Sequence, residues 1–185
     1  LHYLHTRKDS ETQESSPVLH LDIKPENVIL RDSDKQLFLI DFGLSTQAKL
    51  SLVTSQGVTP SIQGYSPGYS PHEQMQGQVV PASDLYALGM TVLVLLTGRD
   101  VREVRLFLDQ NLLFHPSGGN LKLPSPLAKL LQRMTTLRVE ERISSAEQAL
   151  AAIKRFQRAS SWIRKLLWIL LLLGGGLFSY FKWFS

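Results

Sequence analysis

At 185 residues the chain can hold one domain with a proper core and an appendage, and its 43% hydrophobic and 19% charged residues exclude a disordered polymer. It has no cysteine, which excludes disulfides and thiolate metal sites. The net charge of +4 would suit an anionic partner. However, part of the excess sits in Lys154, Arg155, Arg158, Arg164 and Lys165, beside an apolar tail, and so favours a membrane surface over nucleic acid.

In chain order, residues 6–17 are polar and charged and read as a surface loop. Next comes His20-Leu21-Asp22-Ile23-Lys24-Pro25-Glu26-Asn27, followed after a short apolar stretch by Asp41-Phe42-Gly43. Acids, a lysine and an asparagine at that spacing suit phosphoryl transfer, which is mostly positioning and charge neutralisation around magnesium and a phosphate. Between them, apolar runs at 27–30 and 37–40 flank the turn-like Arg31-Asp32-Ser33-Asp34, predicting a β-hairpin with Asn27 at one end and Asp41 at the other. Residues 83–97 are apolar nearly all round and stop at Gly98, predicting a buried helix with a glycine C-cap. Ser125-Pro126 offers an N-cap and a first-turn proline for a helix with Leu127, Leu130, Leu131 and Met134 on one face. Ser144 and Glu147 have capping-box spacing ahead of Leu150 and Ile153.

Residues 166–181 carry no charge. As a helix they would span about 24 Å, slightly short of a bilayer's hydrocarbon core. Trp162, Tyr180 and Trp183 could sit at the interfaces and extend it, and Gly174, Gly175 and Gly176 are better tolerated in lipid than in water. The basic residues cluster before the span, which predicts a single-pass membrane protein with its globular part on the cytoplasmic side.

Residues 20–27 closely resemble the catalytic loop of eukaryotic-type serine/threonine protein kinases, and Asp41-Phe42-Gly43 resembles the magnesium-binding triplet that follows it. Further marks agree in order. Leu1-His2-Tyr3-Leu4-His5 resembles the end of the preceding helix, and Ser66-Pro67-Gly68-Tyr69 with Ser70-Pro71-His72-Glu73 the end of the activation segment. Ser83-Asp84-Leu85-Tyr86-Ala87-Leu88-Gly89 resembles the start of the central buried helix, and Arg142 stands where the family places the partner of Glu73. The resemblance runs from Leu1 to about Phe156. It implies a mainly helical fold with a small β-hairpin sheet, the C-terminal lobe of the protein-kinase α+β fold, plus one transmembrane helix. The expected organisation is a kinase C-lobe at 1–157, a basic juxtamembrane linker at 158–165 and the transmembrane helix at 166–184.

The resemblance also implies roles. Asp22 orients the substrate hydroxyl and accepts its proton, Lys24 contacts the γ-phosphate of ATP, and Ser66 bonds both. Asn27 and Asp41 hold Mg2+, and Ile29 lies beneath the adenine ring. His20 and Phe42 pack in an internal spine, with Gly43 completing the triplet. Glu73 and Arg142 form a buried ion pair, and Asp84 bonds the catalytic-loop backbone. Leu21 stands where many kinases carry the arginine that pairs with a phosphorylated activation loop, which argues against such control despite acceptors such as Thr46 and Thr54. His72 replaces the usual proline before Glu73.

No glycine-rich loop, strand lysine or partner glutamate lies upstream of residue 20, so the chain reads as a C-lobe without its N-terminal lobe. The function expected from Asp22, Lys24, Asn27 and Asp41 together is transfer of the ATP γ-phosphate to serine and threonine hydroxyls of proteins. The alternative is a non-catalytic, membrane-tethered pseudokinase or scaffold. A small-molecule kinase is disfavoured by the Glu73 and Arg142 pair.

Overall fold

The computed structural model describes residues 1–10, 12–43, 65–106 and 123–159. Its elements are α1 (His2–His5), a 3-10 turn (Pro25–Asn27), β1 (Val28–Leu30), β2 (Leu37–Leu39), α2 (His72–Met75), α3 (Pro81–Thr97), α4 (Val101–Leu106), α5 (Ser125–Thr135) and α6 (Ala146–Ala159). Among the described residues the fold is thus helical with one two-stranded sheet, as expected.

Helix α3 is the element on which the others rest. Pro81 opens it, where a missing N–H costs nothing, and Gly98 closes it at φ 62°, its N–H bonding Val94 O at 2.9 Å. One side carries Tyr86, Met90 and Leu93 into a cluster with Val101 and Val104 of α4 and Leu127 and Leu131 of α5. Another carries Leu85 against Leu130, Met134, Ile143 and Ala149, joined by Leu1, Ile153 and Phe156. A helix hydrophobic nearly all round is stable only when surrounded, and this one is. At Gly89 the approach to α5 is closest, since a Cβ there would lie 2.9 Å from Thr135 Cγ2.

The hairpin pairs Val28 with Leu39, Ile29 with Phe38 and Leu30 with Leu37. Arg31 and Asp34 form an ion pair across the turn, and Ile40 N bonds Asn27 O at 2.9 Å, so Asp41 emerges beside Asn27. The polar stretch after α1 is a small excursion closed by an antiparallel bridge between Lys8 and Ser15, with Val18 N returning to Leu4 O at 2.9 Å.

Two expectations shift by one residue. Helix α5 begins at Ser125 itself, with Pro124 in the cap position. Helix α6 begins at Ala146 and is capped by Ser145, whose Oγ accepts Gln148 N at 3.2 Å, instead of by Ser144 with Glu147. On this helix Ala149 is buried and Ile153 packs against the core, whereas Leu150 is 37% exposed. Among the described residues no helix is long and apolar enough to cross a membrane. The transmembrane expectation at 166–184, the linker at 158–165 beyond residue 159, and the acceptors Thr46 and Thr54 lie outside the described residues.

Glu73 on α2 and Arg142 form a buried ion pair that ties α2 to the segment before α6. Arg142 Nη1 and Nη2 reach Glu73 Oε1 and Oε2 at 2.5 and 3.2 Å, and its other hydrogens go to Thr136 O, Ala82 O and Leu137 O. Ser83 Oγ donates to Glu73 Oε1 at 2.9 Å, and the guanidinium lies over the Tyr86 ring at 4.9 Å. A buried pair with every hydrogen bond satisfied is costly to break on one side only. Arg142→Met in the intact protein is expected to lower unfolding stability by about 3–5 kcal/mol in urea titration, with part recovered on adding Glu73→Gln. An unchanged midpoint would contradict that account.

Candidate active site

The loop 20–27 contains few regular backbone hydrogen bonds of its own, so its shape is imposed by side chains around it. Asp84, in the first turn of α3 and fully buried, is the main anchor: Oδ2 accepts His20 N at 2.9 Å and Oδ1 accepts Leu21 N at 2.8 Å. His5 Nε2 bonds the same Oδ2 at 2.8 Å. The helix N-terminus and these donors compensate a carboxylate removed from water. Thr91, about two turns further along α3, places its hydroxyl between Ala87 O at 2.8 Å and Ile23 O at 3.3 Å.

His20 then ties the loop to the hairpin. Its Nδ1 accepts Asp22 N at 3.3 Å and its Nε2 lies 3.0 Å from Ile40 O, pairings that fit the neutral ring protonated at Nε2. The Phe42 ring rests on it, with centroids 4.7 Å apart. Leu21 occupies the left-handed region at φ 65°. For a residue with a Cβ this costs about 1 kcal/mol, and it persists only where the surroundings hold it.

Around Asp22 the structure gathers three of the expected residues. Lys24 Nζ lies 3.1 and 2.8 Å from the two Asp22 oxygens and 3.0 Å from Ser66 Oγ. Ser66 Oγ donates to Asp22 Oδ1 at 2.6 Å, and Asn27 Nδ2 donates to both Asp22 Oδ2 and Asp22 O at 2.8 Å. Burial pushes the Asp22 carboxyl up, but the hydrogen bonds from Lys24, Ser66 and Asn27 and the Lys24 charge outweigh it, so its pKa is lowered. The carboxylate is therefore ionised at neutral pH.

Ser66 is delivered by a self-fastened turn. Ser66 N bonds Ser70 Oγ at 3.0 Å, and Tyr69 N and Ser70 N return to Ser66 O. Gly68 is needed there: φ is 89° and a Cβ would lie 2.7 Å from Val101 Cγ2.

Asn27 makes both side-chain bonds through Nδ2, which leaves Oδ1 facing away from Asp22. Asp41 is exposed, and its Oδ1 accepts Gly43 N at 3.1 Å in a tight turn. Asparagine and aspartate oxygens at the two ends of one hairpin are donors that suit magnesium, which takes few protein ligands and completes its shell from water and phosphate. Ile29 does not join this cluster; it stands on the hairpin at 47% exposure. Glu73 and Arg142 lie below it, as a structural pair.

Three contributors were not singled out from the sequence: His5, Gln74 and Thr91. Gln74 Nε2 donates to Leu21 O at 2.8 Å from a buried position. His5 Nδ1 is buried without a hydrogen-bond partner. A threonine inside the apolar run 87–96 of α3 is the available signal for Thr91, and adjacency to Glu73 the one for Gln74.

Comparison with known proteins identifies the family. The protein kinase domain model matches residues 1–153. The chain is 35% identical over 162 residues to serine/threonine-protein kinase PknA of Nostoc sp. strain PCC 7120, covering 83% of this chain and 26% of that protein. It is 39% identical over 136 residues to serine/threonine-protein kinase F of Synechocystis sp. strain PCC 6803, covering 73% of this chain and 26% of that protein. A solved structure, the apo form of PpkA-294, aligns over 72% of this chain and 46% of that one at 28% identity, with a TM-score of 0.49. The chain thus spans about a quarter of the length of the curated relatives it matches. With the domain match over most of its length, the chain belongs to the protein kinase family.

Proposed function

We propose that the intact protein transfers the γ-phosphate of ATP to serine or threonine hydroxyls of other proteins. The observation that supports this most directly is the Asp22 carboxylate gripped by Lys24, Ser66 and Asn27, with Asn27 and Asp41 at the two ends of the hairpin. The relatives' names as serine/threonine-protein kinases point the same way.

The chain's residues divide the work. Asp22, ionised and fixed, accepts a hydrogen bond from the substrate hydroxyl, aims its oxygen at the γ-phosphorus and takes the proton as the new O–P bond forms and the bond to the β–γ bridging oxygen breaks, releasing ADP. Lys24, already beside Asp22, offers its cation to the phosphoryl oxygens. Ser66 accepts from Lys24 and donates to Asp22, so neither group drifts. Asn27 Oδ1 and the Asp41 carboxylate would hold magnesium, which when bound neutralises triphosphate charge. Ile29, on the hairpin face, would lie under the adenine ring, and its exposed cross-strand partner Phe38 makes that face apolar.

The protein would also be anchored by residues 166–184, with the kinase domain on the cytoplasmic side. The support is an uncharged run at 166–181 following Arg164 and Lys165. After cell lysis the intact protein is expected in the membrane fraction and to resist carbonate extraction. A variant ending at residue 160 should move to the supernatant, and equal distribution of the two would contradict the anchor.

For the activity, the intact protein should phosphorylate a generic acceptor such as myelin basic protein in the presence of magnesium and ATP, giving phosphoserine or phosphothreonine. Asp22→Asn keeps the size but removes the acceptor charge, and kcat should fall at least about a hundredfold. A wild-type protein with no transfer, or transfer unaffected by Asp22→Asn, would favour a non-catalytic module.

A further inference from the structure

The peptide unit joining Leu21 to Asp22 sets the direction in which the Asp22 side chain leaves the loop. Both of its polar groups are held. Its N–H, on Asp22, points to His20 Nδ1 at 3.3 Å, and its carbonyl, on Leu21, accepts Gln74 Nε2 at 2.8 Å. The residue before it is at φ 65°, with its own N–H on Asp84 Oδ1 at 2.8 Å. A conformation of this kind relaxes unless it is over-determined, and Gln74 supplies the one hold on it that comes from α2.

Gln74 is 1% exposed, so water cannot readily substitute for its amide. It sits next to Glu73, and the two neighbours act in opposite directions. Glu73 fastens α2 downward to Arg142 and Ser83, whereas Gln74 reaches across to the loop. The same stretch of chain carries the turn 66–70, from which Ser66 bonds the Asp22 side chain. Segment 65–75 therefore grips the loop at two points, once on the carboxylate and once on the carbonyl just before it. The side chain of Leu21 is apolar and 2% exposed, so this link is a neutral hydrogen bond and does not involve a cation at position 21.

We propose that Gln74 is a positioning residue for phosphoryl transfer. It fixes the Leu21–Asp22 peptide plane, and so couples the seating of segment 65–75 to the aim of the Asp22 carboxylate. The inference rests on the phosphotransfer reading above, and its failure can be told apart from failure of that reading.

The test compares the intact wild-type protein with Gln74→Met, which keeps the length and removes the donor, and Gln74→Glu, which sets a carboxylate against the Leu21 carbonyl. Nucleotide-binding stoichiometry is measured with magnesium-ATP, and kcat is expressed per binding site. The expected result is a kcat per site at least about tenfold lower for methionine and lower still for glutamate, with KM for ATP within about twofold of wild type. An active wild type with a methionine variant of equal kcat per site would overturn the positioning role alone. Binding sites lost in step with activity in both variants would assign Gln74 to lobe stability and overturn it too. An inactive wild type would remove the phosphotransfer reading on which it rests.

Discussion

The arrangement depends on one buried carboxylate. Asp84 has no exposed surface, and its two oxygens accept the N–H groups of His20 and Leu21 and the ring nitrogen of His5. A charge in that position is tolerable because it lies in the first turn of α3 and meets donors on each oxygen. In return it makes a loop with little regular structure as well defined as a helix. The cost of an unsatisfied buried carboxylate is the force that keeps residues 20 and 21 in place.

From that anchor the site assembles outward. Asp84 places the backbone before Asp22, and His20 passes the placement on to Ile40 and hence to the strand that leads into Asp41. Asn27, at the other end of the hairpin, bonds Asp22 directly and Ile40 through its carbonyl. The groups proposed to handle hydroxyl, phosphate and metal thus share a single foundation in α3, whose own stability comes from burial on several sides. Segment 65–75 joins through Ser66 and Gln74 and is secured by Arg142 through Glu73.

The sequence made part of this legible for physical reasons. Residues 20–27 and 41–43 are contiguous and chemically unusual, and the hairpin between them follows from two apolar runs and a polar turn. Helix α3 was readable from its apolar length and Gly98. By contrast, Ser66, Glu73, Asp84 and Arg142 are far apart in the chain, and only the resemblance linked them to Asp22. His5, Gln74 and Thr91 escaped notice because each acts through one hydrogen bond to a backbone atom or a distant carboxylate, which leaves no spacing pattern. The adjacent serines 144 and 145 leave the start of α6 ambiguous by one residue, and the structure puts the cap on Ser145.

The most direct measurement of this account is the steady-state kinetics of Asp84→Asn in the intact protein. The substitution is nearly isosteric but turns one acceptor into a donor that faces the loop's N–H groups. In that variant kcat should fall at least about tenfold while ATP binding is retained, because the loop loses its alignment and the hairpin stays formed. A variant with wild-type kcat would contradict the claim that Asp84 sets the geometry of the site.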